Sequence, residues 1–155
     1  MNPRESIEAA IAADLLGITQ ANGYTVARNV HAVTRRQIKV TDVPDELRPM
    51  LLLLTEENAS EFIELSRLKE TSLTVNVLLY ETVRGGEEPV TVLNGYAQAI
   101  RRVLSRQHSW QGLADYIFTE IEGVAQHQIL EDLLPTVMTT VAATVRYTHD
   151  DREIA

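Results

Sequence analysis

A chain of 155 residues, 45% apolar and 23% charged, suits one soluble globular domain with its own hydrophobic core. No stretch approaches the roughly 18–20 consecutive apolar residues of a membrane span, and the absence of cysteine excludes disulfides, thiolate metal sites and cysteine nucleophiles. A formal net charge of −8 disfavours a free protein that grips nucleic acid by neutralising phosphates.

Charged residues interrupt the first turns of MNPRESIEAAIAADLL, so it does not read as a secretory signal and the chain is expected to stay in the cytoplasm. Asn2 caps a helix that opens on Pro3, with Glu5 where a capping-box acid belongs. Ile7, Ile11, Leu15 and Ile18 form its apolar stripe, Glu8 and Asp14 point away, and Asn22-Gly23 ends it. Val26, Val30 and Ala32 share one parity, with Arg28 and His31 on the other parity or nearby, which predicts a first strand over 24–33. Residues 34–49 turn polar and carry two prolines, which reads as a long loop or protruding hairpin around Ile38 and Val40. A short apolar strand over 50–55 follows. The apolar spacing of 59–68 fits neither helix nor strand.

Residues 71–83, TSLTVNVLLYETV, are too rich in β-branched and aromatic residues for anything but a sheet. Leu73, Val75, Val77, Leu79 and Val83 give this central strand a dry face, and Asn76, Leu78 and Tyr80 a mixed one suited to partial burial under a neighbour. RGGEEP is the clearest break. Val92 or Leu93, Tyr96, Ala97, Ile100, Val103 and Leu104 then mark a second helix with Arg101, Arg102 and Arg106 at its basic end. Residues 116–129 read as two strands bent or joined near Gly123. In the last strand, 136–148, Val137, Thr139, Val141, Ala143, Val145 and Tyr147 share one face. The sum is a single α+β domain over 1–155, two amphipathic helices on a mainly antiparallel or mixed β-sheet, with 149–155 frayed.

Site chemistry is sparse. His31, His108, His127 and His149 form no ligand pair at metal spacing, although His127 is placed to share a sheet face with Glu120 and Glu122. Gly85-Gly86 lacks a phosphate-loop pattern, and no serine sits in a GxSxG elbow. No catalytic, cofactor-binding or metal residue is assigned. Basic clusters at Arg35, Arg36 and Lys39 and at Arg101 and Arg102, with acids at Asp42, Asp45 and Glu46, are the candidate interface residues, because head-to-tail assembly joins two different surfaces of one chain.

The pattern of an opening helix ending ANGYTVARNV, the strand SLTVNVLLYETV, the helix VLNGYAQAIRRVL and the closing strand TVMTTVAATVRYTHDD resembles the tail terminator proteins of tailed bacteriophages. The resemblance covers nearly the whole chain and brings no catalytic motif, so no enzyme is implied. It implies a virion protein of the tail and neck region, assembled in the host cytoplasm as a homohexameric ring. Such a ring caps the tail tube, stops its polymerisation and meets a neck or head-completion protein, while DNA passes through the lumen without specific binding. Two alternatives stand beside it: another head-tail connector protein, or a small dimeric α+β enzyme or ligand-binding domain with Trp110, His108 and Glu120 near a cleft.

Overall fold

A computed structural model describes residues 3–58, 61–62, 68–105, 110, 113, 116–130 and 136–150. Two helices, α1 (Pro3–Leu16) and α2 (Pro89–Leu104), cover one face of a six-stranded sheet. Its strands are β1 (Ala32–Thr34), β2 (Met50–Glu57), β3 (Glu61–Phe62), β4 (Leu68–Thr82), β5 (Tyr116–Ile129) and β6 (Thr136–Asp150). The spatial order is β1-β2-β4-β6-β5, with the short β3 also on β4. Every pairing is antiparallel except β1 with β2, so the fold is α+β on a mainly antiparallel, partly mixed sheet.

The expected central strand lies at the centre. Fifteen residues of β4 pair without interruption with β6, from Leu68↔Asp150 to Thr82↔Thr136. Period-two alternation then sets the two faces. Leu73, Val75, Val77 and Leu79 of β4, Leu51 and Leu53 of β2, and Val137, Val141, Ala143 and Val145 of β6 are buried beneath the helices. Ile7, Ile11 and Leu15 of α1 and Leu93, Tyr96, Ile100 and Val103 of α2 close that core. Ile18 joins it from just beyond α1. Glu8 and Asp14, expected to point away, sit instead at the rim of this core, half-buried and hydrogen-bonded.

The predicted strand over 24–33 is corrected: only 32–34 enter the sheet, and 18–30 form a loop. Tyr24, Val26 and Val30 are buried as in a strand, but their stretch finds its backbone partners elsewhere. Gln20 Nε2 donates to the Val26 carbonyl at 3.0 Å, the Arg28 N–H donates to the Tyr96 hydroxyl at 3.1 Å, and the Val30 N–H donates to the Ile18 carbonyl at 3.0 Å. This loop lies tightly on α2. A Cβ at Gly95 would stand 2.8 Å from the Thr25 carbonyl oxygen, so only glycine fits there.

Residues 116–129 form one strand, bent as expected at Gly123, where φ is +59° and the register with β6 shifts between Glu122 and Gln126. The loop between β1 and β2 contains two 3-10 turns, Val40–Asp42 and Asp45–Leu47, and is anchored on the other face of the sheet. There Val43 packs with Met50, Leu52 and Tyr80 in a second, smaller core, and the Tyr80 hydroxyl donates to the Ile38 carbonyl at 3.0 Å. Arg48 fastens the loop to the strand ends, donating to the Thr82 and Thr136 hydroxyls at 3.1 and 2.7 Å and to the Val40 carbonyl at 3.0 Å. Most of 59–68, whose type the sequence leaves open, lies outside the described residues, as does the tail from 151 on.

Candidate functional site

Three constellations of charged side chains are fixed by this fold. The most buried one centres on Glu81, which lies on the helix-covered face of β4 and has no exposed surface. Its carboxylate accepts from Arg28 Nε at 3.2 Å, from the Tyr96 hydroxyl at 2.5 Å and from the Thr82 N–H at 2.7 Å. Arg28 also forks onto Glu87 at 3.0 and 3.1 Å and donates to the Thr82 carbonyl at 2.9 Å. Burial, and then the neighbouring Glu81 charge, raise the Tyr96 hydroxyl far above its ordinary pKa of 10.0. Hydrogen bonds from Arg28 and from the Arg84 N–H hold Glu87 below its usual 4.5. Both Glu81 oxygens are occupied by the chain itself, so this cluster is a clamp that pins the 18–30 loop to β4 and α2. Sequence reading passed it over, although an acid on the dry parity of 71–83 was the available signal.

The second constellation surrounds an open hollow of about 490 Å³, lined by Arg4, Glu5, Glu8, Arg35, Arg36, Leu53, Leu54 and Thr55. Arg35 reaches Glu5 at 2.6 Å and Glu8 at 3.5 Å, and Arg4 reaches Glu8 at 3.2 Å. The Thr55 hydroxyl also donates to Glu8. Glu5 is held below its usual pKa by the Arg35 hydrogen bond. Arg36 lines the same hollow, is exposed, and has no side-chain partner among the described residues.

The third is at the loop between β1 and β2. Asp45 accepts from the Thr82 hydroxyl at 2.5 Å and from Arg84 at 3.4 Å, which together hold its carboxyl below the usual 3.8. Lys39, Asp42 and Glu46 are exposed nearby on the same loop. Arg101 and Arg102 belong to a different place, the last turn of α2. Arg102 stacks on Tyr24 at 4.7 Å and donates to the Gly23 carbonyl at 3.3 Å, so it holds the loop after α1. The candidate interface residues therefore fall into separate groups, and Arg35, Asp45 and Arg102 already have partners within their own chain.

His127 does not share a face with Glu120 and Glu122. It pairs with Thr139, on the helix-covered side, whereas Glu120 and Glu122 pair with Thr144 and Ala142 on the uncovered side. Its ring bridges Thr139 Oγ1 and Asn94 Oδ1, each at 2.7 Å, tying α2 to β6. Burial, and then the nearby Arg101 charge, lower its pKa from the ordinary 6.5. Between the folded and unfolded values the unfolded chain binds more protons, so this contribution to stability is complete above about pH 6.5 and is lost as pH falls through the folded value. Denaturant midpoints measured from pH 7.5 to 5.5 are expected to fall less steeply in His127→Gln than in the natural chain; equal slopes would refute the assignment.

Trp110 is buried with its indole N–H on Asp14 at 2.8 Å, while Glu120 is exposed and paired with Arg146 at 3.2 Å. His108 lies outside the described residues. Among the described residues no group of three or more His, Asp or Glu side chains is arranged to hold a metal ion, and no helix is long and apolar enough to cross a membrane.

What the helices leave uncovered is a broad face of the sheet. The loop between β1 and β2 covers part of it, where Leu54, Leu78 and Met138 pack against the small core of Val43, Met50, Leu52 and Tyr80, while Asn76 of β4 and Thr140 and Ala142 of β6 are half-buried without a covering helix. A polar hollow of about 300 Å³ opens beside the β5 bend, between Asn76, Glu122, Gly123, Gln126, Thr140 and Ala142. An apolar one of about 260 Å³ lies at the other end, beside Phe118, Arg146 and Thr148. Compared with protein-family models and with curated proteins, the chain matches none.

Proposed function

We propose that this chain is a ring-forming structural protein of a tailed-phage virion, a tail terminator that caps the tail tube and joins it to the neck. The observation that carries the reading is the part of the helix-free sheet face beyond the loop between β1 and β2, where Asn76, Thr140 and Ala142 stay half-buried beside the small core that Leu54 and Leu78 join. Residue chemistry of that kind suits a contact that forms and buries on assembly. The resemblance in length, element order and strand texture supplies the partner class: further copies of itself, the tail tube protein and a neck or head-completion protein. The function is steric. A capped tube has no free end for the next tube ring, and the far side of the cap presents a new docking surface. The acidic net charge of −8 agrees with a lumen through which DNA slides, since carboxylates repel phosphates.

The experiment is a native mass measurement of the purified protein, followed by negative-stain microscopy with growing tail tubes. A closed oligomer that decorates tube ends and arrests their lengthening is the expected result. A protein that stays monomeric at high concentration and leaves tube ends bare refutes the reading.

A further inference from the structure

At one side of the sheet β1 stops at Thr34, opposite Leu52, while β2 runs on to Glu57. Along 53–57 no described strand lies outside β2, and the hollow of about 490 Å³ opens there. Two hydrogen bonds fix which backbone groups face it. The His31 N–H donates to the Pro49 carbonyl at 2.9 Å, so the odd residues that follow along β2 aim at the β1 side. The Asn58 N–H donates to the Ser72 carbonyl at 2.8 Å, so the even residues aim at β4, which agrees. Thr55 and Glu57 therefore turn their N–H and C=O groups outward, where no described group hydrogen-bonds to them. Charges stand along this open stretch. Arg36 is exposed and lines the hollow with Leu53 and Leu54, and Glu56 is exposed on the same face of β2 as Leu54. Neither has a side-chain partner among the described residues. Arg35, Glu5, Glu8 and Arg4, by contrast, hold one another.

We propose that this notch takes an extended strand of a different protein, seated antiparallel to β2. The strand carries a Lys or Arg opposite Glu56 and, two residues later, an Asp or Glu opposite Leu54 and beside Arg36. Backbone pairing to Thr55 and Glu57 supplies the affinity, and the two charges fix the direction, since the reverse seating sets acid beside Glu56 and base beside Arg36. Antiparallel pairing is also the more stable per residue. No proline stands opposite Thr55 in such a strand, because the pairing needs that N–H. The chain itself does not supply the strand: none of its Lys or Arg residues is followed two positions later by Asp or Glu. Two copies of β2 do not suit each other either. Arg4 and Glu8 set the first turns of α1 against Thr55, so a two-fold pairing centred there would bring both helix ends to the same place.

This site goes beyond the ring reading and does not rest on it. The probe is a synthetic peptide, acetyl-VKTEV-amide, titrated into the isotope-labelled natural chain and followed by amide NMR. Shifts centred on the Thr55 and Glu57 amides are expected, with slowed hydrogen exchange there. Two control peptides are each expected to bind at least about tenfold more weakly: acetyl-VETKV-amide, with its charges exchanged, and VKTEV N-methylated at its threonine, which loses the donor to Thr55. The chain carrying both Arg36→Glu and Glu56→Lys is expected to reverse the preference between the two charge orders, with its thermal midpoint as the check that these exposed changes leave the fold intact. The notch is refuted if Thr55 and Glu57 do not respond, if the peptides bind alike, or if the double variant keeps the natural preference. None of these results touches the ring, which native mass decides separately.

Discussion

Glu81→Ala is expected to cost the folded state about 3–5 kcal/mol, the range for removing one member of a buried ion pair. The reason is what stays behind. Arg28 keeps Glu87 but loses its innermost partner, the Tyr96 hydroxyl is left with only the Arg28 carbonyl at 3.1 Å to donate to, and the Thr82 N–H loses the carboxylate it donates to. Against a total stability of about 5–15 kcal/mol for a domain of this kind, that is a large share. Glu81→Gln keeps the shape and one carbonyl acceptor, so it is expected to lose roughly half as much. Urea unfolding decides it: a lower midpoint at an unchanged slope is the expected signature. A midpoint for Glu81→Ala equivalent to less than about 1 kcal/mol of loss would mean that the clamp does not hold the 18–30 loop.

Trp110→Ala is expected to cost about as much, roughly 3–5 kcal/mol, by a different route. Trp110 is the largest fully buried side chain, and truncating it empties the core that α1, α2 and the sheet enclose. Trp110→Phe separates the two contributions of the indole. It retains most of the packing and removes the 2.8 Å hydrogen bond to Asp14, so about 1–2 kcal/mol is expected. The intrinsic fluorescence of this only tryptophan reports the unfolding of the natural chain, and circular dichroism serves for the variants. Equal losses for alanine and phenylalanine would assign the whole effect to the hydrogen bond and refute the packing argument.

Regular alternation made the sheet legible in the sequence. In β6 every residue assigned to the dry face, from Val137 to Tyr147, is buried, because a strand between two others has no choice of register. The loop over 18–30 was not legible as a loop: Tyr24, Val26 and Val30 are spaced as a strand would space them. What distinguishes them is that their backbone groups pair with Thr19, Gln20 and Ile18, local groups that no spacing rule identifies. The same limit applies to the charged residues. Arg35 and Arg36 are adjacent and chemically identical, yet one is committed to α1 and the other has no side-chain partner among the described residues, and only the fold separates them. Glu81 was the one residue whose position alone marked it, a carboxylate on an otherwise dry face.

The position of β6 between β4 and β5 also governs when the molecule can exist. On the ribosome α1, β1, β2, β4 and α2 are all made before 136–150, and β5 emerges with no described strand beside it. At about 5–20 residues per second, the nascent chain spends on the order of seconds with the edges of β4 and β5 that face β6 open. Long-range pairing of this kind is slow to form and open to wrong partners while it waits. Loss of 136–150 would therefore not trim the sheet from its end; it would remove the strand that turns two separate pieces into one.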